Sequence, residues 1–345
     1  MRTKKRSFSP QKSPRTRTRD LRDQCRPIET SGQFFPAGES IELVRDAETG
    51  RLNLLFFDSR KSRVAPSVEC DGREYVPPEV RPSILRAMTL PAKETAFGSI
   101  RKLLEDISRT VVTYTALSDH LARAVARFVL ATWVVDAIAI APWLRIVGPD
   151  TIAGGQLVQI LACLCRHALP LTDVSVGAIC SLPLVWRPTL LIQQPELSAQ
   201  LRRFLNCTRN PNQFIPRNGE LLDFHAAVVT YSRLSHRNGD ILSGIEVPVV
   251  FPARQLEILD ENTQHCIAAD YQPKLLGYRH ANYEKIRCSK FDAPDLTVPD
   301  EGAGTQPRRL HARRRRPASR DRAFARSAGC RHPSVEVDRP QRDHR

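Results

Sequence analysis

The sequence has no CxxC pair: its nine cysteines are scattered, and only Cys163 and Cys165 stand close together. In a helical stretch, residues two apart point to different faces. The four converging ligands of a structural zinc site are therefore missing from the pattern. His225, His236 and His265 are too far apart for a local metal motif and read as surface or core-edge histidines. No apolar stretch follows the basic N-terminus, which argues against a secretory signal peptide. The one stretch long enough to span a bilayer, Phe128–Val147, contains Asp136, Pro142 and Arg145. A central Asp costs roughly 2.5–3.5 kcal/mol on insertion scales, so a buried helix followed by a buried strand is expected there. A soluble, cytoplasmic protein is the expectation.

The 345 residues are 41% hydrophobic, enough for a sizeable core, and the formal charge is +15. That charge is not spread evenly. Met1–Pro27 holds ten Lys/Arg against two Asp/Glu, and Gly302–Arg345 holds thirteen Arg against four Asp/Glu. The two tails thus carry +8 and +9, which leaves −2 for everything between them. Attraction to nucleic acid, if charge drives it, belongs to the tails. Residues 1–31 have almost no apolar side chains and read as a disordered basic tail. "SPQKSPRT" (Ser9–Thr16) is a basic Ser-Pro segment of the kind that lies along DNA, or a solvated tail. Residues 291–345 read as a second disordered tail. Its Arg-rich part has no Lys, whereas the N-terminal tail has three. Two readings stay open for it: a nucleic-acid-binding tail, or the product of a frameshift in GC-rich coding sequence.

Between the tails two regions are expected. Residues 32–90 contain "SIELVRD", "RLNLLFFD" and "REYVP", short strands with the turn "AETG" between the first two, and form a small antiparallel β unit. Residues 91–290 hold a larger α/β domain. A helix over Ser99–Thr115 places Leu103, Leu104, Ile107 and Val111 on one face. A second, N-capped by Ser118, carries Leu121, Val125, Phe128, Val129 and Thr132. Then strands and helices alternate. The strand Trp143–Gly148 leads through the loop "PDTIAGG" to the helix "QLVQILACLCRHAL". The strand Thr189–Gln194 leads to a helix with Pro195 in its first turn. Strands Ala226–Ser232 and Gly244–Phe251 follow, then a helix over Asp260–Leu276. Such alternation implies a mostly parallel sheet flanked by helices, with ligands at the carboxyl ends of its strands.

A phosphate-binding loop joins a strand to a helix with the pattern GxxxxGK[ST]. Starting the pattern at Gly148-Pro149 puts Ala153 at its second glycine, Gly154 at its lysine and Gly155 at its hydroxyl residue. The ammonium that would bridge phosphates and the hydroxyl that would bind Mg²⁺ are both lost. The next strand, which should end in Asp-Glu, ends in Gln193-Gln194, two amides without charge or basicity. Where an arginine often precedes the fourth strand, Ser243-Gly244 stands instead. Ser232 ends the third strand, where a polar residue could point at a nucleotide or simply satisfy backbone. "YRHANYEK" (Tyr278–Lys285) mixes aromatic and basic residues as nucleic-acid surfaces do, and equally suits a helix end favoured by its dipole.

The stretches "FVLATWVVDAIAIAPWLRIVGP", "RPTLLIQQPELSAQLRRFL", "PRNGELLDFHAAVV" and "YQPKLLGYRHANYEKIR" resemble a group of uncharacterised bacterial proteins related to P-loop ATPases and helicase-like proteins of mobile elements. The resemblance spans about Phe128–Arg287, under half of the chain, and more faintly Phe34–Pro91. It implies a P-loop NTPase-like core but no known substrate. Because the residues that would act on ATP and Mg²⁺ are replaced, neither is expected as a cofactor. A catalytically inactive binding or scaffolding protein is one expectation, with nucleic-acid contact through the tails and no membrane partner. An NTPase with a non-standard or partner-completed site is the alternative, and a decaying gene product a third.

Overall fold

The computed structural model describes residues 26–289 apart from 59–60, 116, 183–185, 211–212, 218–219, 234–243 and 251–255. Both basic tails, the Ser9–Thr16 segment, His236 and Ser243 lie outside the described residues.

The N-terminal region is built from β1 (Ile28–Glu29), β2 (Gly32–Phe34), β3 (Ser40–Arg45), β4 (Leu52–Phe57), β5 (Ser62–Ala65), β6 (Val68–Cys70) and β7 (Arg73–Val76). Strands β2 to β5 pair antiparallel in chain order, and β7 joins β1 and β6 in a second small sheet. The expected turn between β3 and β4 is closed by Asp46, whose Oδ1 accepts from the Thr49 amide at 2.7 Å. Gly50 then takes φ +67°, which a side chain would disfavour. Strand β3 is buried on both faces. Ile41 and Leu43 enter a core with Phe35, Leu54, Val68 and Tyr75, whereas Val44 packs into the larger core of the α/β region. The period of two puts Glu42 on the Val44 side, facing that region.

Helix α1 (Pro82–Ala87) is short; α2 (Ile100–Thr115) and α3 (Asp119–Trp133) match the expected periodicity. Leu103, Ile107 and Val111 of α2 are buried, as are Val125, Phe128 and Val129 of α3. Ser118 stands at the N-cap position of α3 with extended backbone, but its side chain makes no capping bond.

The α/β region runs β8 (Trp143–Val147), α4 (Thr151–Leu164), β9 (Ala168–Thr172), α5 (Val176–Cys180), β10 (Thr189–Gln193), α6 (Ala199–Cys207), a hairpin of β11 (Phe214–Arg217) and β12 (Glu220–Asp223), β13 (Val228–Ser232), β14 (Ile245–Pro248) and α7 (Glu261–Cys288). Five strands form one parallel sheet in the order β14-β8-β13-β10-β9. Alternate side chains serve opposite faces. Leu144, Ile146, Leu191 and Val229 join the core that includes α2, α3, α4 and α7, while Trp143, Leu190, Ile192 and Val228 join the core beside α5 and α6. The protein is therefore α/β, a five-stranded parallel sheet flanked by helices, with a smaller antiparallel sheet.

Three expectations need correction. The helix expected through Leu169 ends at Leu164, and Ala168–Thr172 is an edge strand. Cys165 has extended backbone, His167 has φ +47°, and the Arg166 carbonyl accepts from Thr189 Oγ1 at 2.7 Å. Helix α6 starts at Ala199 because Ser198 caps it, its Oγ accepting from the Leu201 amide at 3.2 Å, so Pro195 lies in the preceding bend. Helix α7 runs past Leu276 to Cys288. Tyr278, Arg279, Asn282 and Tyr283 are buried on it, so "YRHANYEK" is not a nucleic-acid surface; Lys285 and Arg287 fall in its last turn, where the dipole favours them.

A buried ion network joins the two regions. Arg279 donates to Glu42 Oε1 and grips Asp136 with both terminal nitrogens, at 2.6 and 2.8 Å. Arg166 donates to Glu42 Oε2 at 2.9 Å. Burial pushes both carboxyls up, but the guanidiniums outweigh it: Arg166 and Arg279 hold Glu42, and Arg279 holds Asp136, below the usual carboxylate range. The charges at Asp136 and Arg145 that argue against a membrane span thus both have partners, the second in Glu246 across the β8–β14 pair at 3.0 Å. Among the described residues no helix is long and apolar enough to cross a membrane.

Candidate functional site

In a parallel sheet the carboxyl ends of the strands border a crevice where ligands bind. Strand β13 lies between β8 and β10, so that edge brings three separate sequence segments together. The Gly148 amide donates to the Ser232 carbonyl at 3.1 Å, and the Gln194 amide donates to the Tyr231 carbonyl at 3.2 Å. Gly148, Ser232 and the Gln193-Gln194 pair are therefore neighbours along one edge. Ser232 is buried there.

The connection from β8 to α4 differs from a phosphate loop in shape as well as in side chains. Helix α4 begins at Thr151, not near Gln156, so only Gly148, Pro149 and Asp150 lie between strand and helix. A phosphate loop wraps its ligand in successive backbone N–H groups. This loop is too short for that, and Pro149 has no N–H to offer. Gly154 and Gly155 sit inside the first turns of α4 rather than in a loop.

The helix N-terminus is already occupied by a carboxylate. Asp150 is buried, and its Oδ1 accepts from the Ile152 amide at 2.9 Å and the Ala153 amide at 3.3 Å. These are the donors a phosphate would use, and the resident anion satisfies the same dipole. Tyr231 closes the space above it. Its hydroxyl donates to the Asp150 carbonyl at 3.1 Å, and its ring lies against Gly154. Burial pushes the Tyr231 phenol above its usual range, so it is a neutral donor. On the other side of the loop the Val249 backbone packs so closely on Gly148 that no Cβ would fit. Gly155 faces open space.

No protein-family model matches this sequence, and no curated protein matches it. Among solved structures the chain is similar to the C-terminal region of NrS-1 in an A-form apo structure, at 9% identity and a TM-score of 0.38 over 72% of this chain and 71% of that one. It is also similar to a full-length MCM homolog from Methanopyrus kandleri, at 11% identity and a TM-score of 0.34 over 69% of this chain and 58% of that one. Likeness at this level assigns no residue a role.

Two amide side chains near the edge are held by backbone carbonyls of the protein. Gln194 Nε2 donates to the Glu196 carbonyl at 3.0 Å, which leaves its Oε1 buried without a hydrogen-bond partner. Gln156 Nε2 donates to the Glu257 carbonyl at 2.9 Å and ties α4 to the segment before α7. Ser232 and the Gln pair bring no carboxylate to the edge; Asp150 beside them caps the helix, and the exposed Asp173 follows β9, its amide donating to the Gln193 carbonyl at 3.4 Å. Among the described residues, the loop after β8 has neither the lysine nor the run of backbone amides that would hold the phosphates of a Mg²⁺–nucleotide. Asp150 and Tyr231 are what the sequence reading missed. Asp150 had a signal, an Asp directly before a helix, which is a capping position. Tyr231 had none. His225 is buried and His265 is exposed, and the described residues contain no group of three or more His, Cys, Asp or Glu placed to hold a metal ion.

Proposed function

We propose that this chain is a non-hydrolysing relative of NTPase-like proteins that works as a binding or scaffolding element. The observation that carries this reading is the Asp150 carboxylate seated on the first amides of α4, where a phosphate would sit. The substituted Gln193-Gln194 pair supports it. The tails, at +8 and +9, supply sequence-independent phosphate contacts that suit weak binding to nucleic acid, in keeping with a mobile-element setting.

The test is nucleotide binding by the full chain, followed with a fluorescent ATP analogue with and without Mg²⁺. No saturable binding up to millimolar nucleotide is expected, and no hydrolysis above background. Micromolar binding that Mg²⁺ strengthens would overturn the proposal and favour an enzyme completed by a partner.

A further inference from the structure

Helices α2 and α3 pack side by side, and each buries one face: Leu103, Ile107 and Val111 of α2, and Val125, Phe128 and Val129 of α3. Their outer faces meet in a groove of about 530 Å³, lined by Ile100, Arg101, Leu104 and Glu105 from α2 and by Arg123 and Arg127 from α3. A volume in this range holds a small ligand or a few side chains of a larger one. Neither helix brings Gly148, Asp150, Gln194 or Ser232 to the groove, so it is a surface separate from the carboxyl edge of the sheet and independent of what binds there.

The charges in this groove are unspent. Arg101, Arg123 and Arg127 are all exposed, and among the described residues none of their guanidiniums takes part in an ion pair or hydrogen bond. Two other exposed arginines on the long helices are tied to a neighbour, Arg109 to Asp106 at 3.0 Å and Arg287 to Glu284 at 2.7 Å. Glu105 stands one turn after Arg101 and pairs with none of the three. The wall therefore carries three positive charges against one negative, although the chain between the two basic tails is −2 overall. The positive field is local to the groove. Apolar surface lies among the charges: Ile100 is 43% exposed and Leu104 is half-buried.

We propose that this groove docks an acidic segment of a partner protein, with its carboxylates on the three arginines and an apolar side chain on Ile100 and Leu104. A guanidinium pairs with a carboxylate through two parallel N–H donors, and arginine is enriched where proteins meet. Arginine clusters that read acidic motifs are a recurring mode of peptide recognition. A nucleic acid fits less well. Single strands stack their bases on aromatic side chains, and no aromatic residue lines the groove. Glu105 also opposes a continuous phosphate chain, whereas a peptide can place an apolar or basic side chain beside it.

The test is fluorescence polarisation of the full chain with a labelled peptide that repeats Glu-Glu-Leu-Leu, beside a Glu-Glu-Ser-Ser peptide and a mixed-sequence single-stranded DNA. Saturable binding of the Leu peptide is expected, with the Ser peptide clearly weaker. Changing Arg123→Gln and Arg127→Gln together removes two guanidiniums and leaves both tails intact, and it should weaken the Leu peptide about tenfold or more. Ile100→Ser leaves every charge in place and should weaken the Leu peptide severalfold while leaving the Ser peptide unchanged. All three positions are exposed, so circular dichroism melts should match the wild type. Absence of saturable binding, or equal affinity in the Arg123→Gln, Arg127→Gln variant, would overturn the proposal, the second because the tails then do the binding. Equal affinity for the Leu and Ser peptides would overturn it too, and so would a DNA affinity that falls as far as that of the Leu peptide in the double variant, which would make the groove a nucleic-acid site.

Discussion

The ring of Tyr231 lies so close to Gly154 that a Cβ added to the glycine would fall 2.5 Å from Cε2. Tyr231 lies near the end of β13 and Gly154 in the first turn of α4, and their contact explains why this position is glycine. The site that reads in sequence as a phosphate loop stripped of its lysine is a helix start packed under an aromatic ring.

Restoring a loop lysine by Gly154→Lys should therefore not create a phosphate site. The substitution drives a side chain into the Tyr231 ring, and overpacking of this kind costs about 1–3 kcal/mol. Urea denaturation should show that loss, and nucleotide hydrolysis should stay at background even when Gly155→Thr, Gln193→Asp and Gln194→Glu are added.

Asp150→Ala removes the cap of α4 and should destabilise the protein by about 0.5–2 kcal/mol, whereas Asp150→Ser should keep most of the stability. Midpoints of chemical denaturation decide between this and a carboxylate that does nothing for the helix. Equal losses in both variants would show that the hydroxyl cannot substitute or that the cap is unimportant.

Arg279→Met leaves Glu42 and Asp136 buried with one guanidinium between them. Removing one partner from a buried ion pair costs about 3–5 kcal/mol, a large share of a domain's stability. Circular dichroism melts should show a strongly destabilised or unfolded variant. A near-neutral effect would mean that water or a rearrangement replaces the network.

His167 sets a pH dependence. Burial first, and the Arg166 charge second, lower its pKa to about 3, while its Nδ1 pairs with the Trp186 carbonyl at 2.8 Å. Between the unfolded value near 6.5 and the folded value near 3, the unfolded chain binds one more proton there. Stability is thus lost as pH falls through that window. Glu42 and Asp136, both depressed, add a further loss below their unfolded values near 4. His167→Asn accepts the positive φ and does not titrate, so its stability should change little between pH 6.5 and 5, in contrast to the wild type.

Much of the architecture was legible because it is written in local periods. Leu103, Ile107 and Val111 announce α2 by their spacing, and "TLLIQQ" announces a buried strand by its unbroken apolar run. Strand β9 was not legible. "RHAL" continues a helical pattern from "QILACLC", and what turns it is distant: Thr189 bonding the Arg166 carbonyl and Glu42 drawing the Arg166 side chain inward. The same holds for "YRHANYEK". Its mixture of aromatic and basic residues looks like a surface, yet Arg279 lies between the stacked rings of Phe34 and Tyr283 and the two buried carboxylates.

The sequence by itself determined most of the strands and helices, where the charge concentrates, and that no GxxxxGK[ST] pattern follows the strand Trp143–Gly148, because each of these is a property of composition or of neighbours a few residues apart. Only the tertiary structure decided the strand order β14-β8-β13-β10-β9, the closing of the loop after β8 by Tyr231, and the partners of Arg279. Glu42 and Arg279 are 237 residues apart in the chain. Pairings at that distance depend on how the layers pack, and no local period in the sequence encodes them.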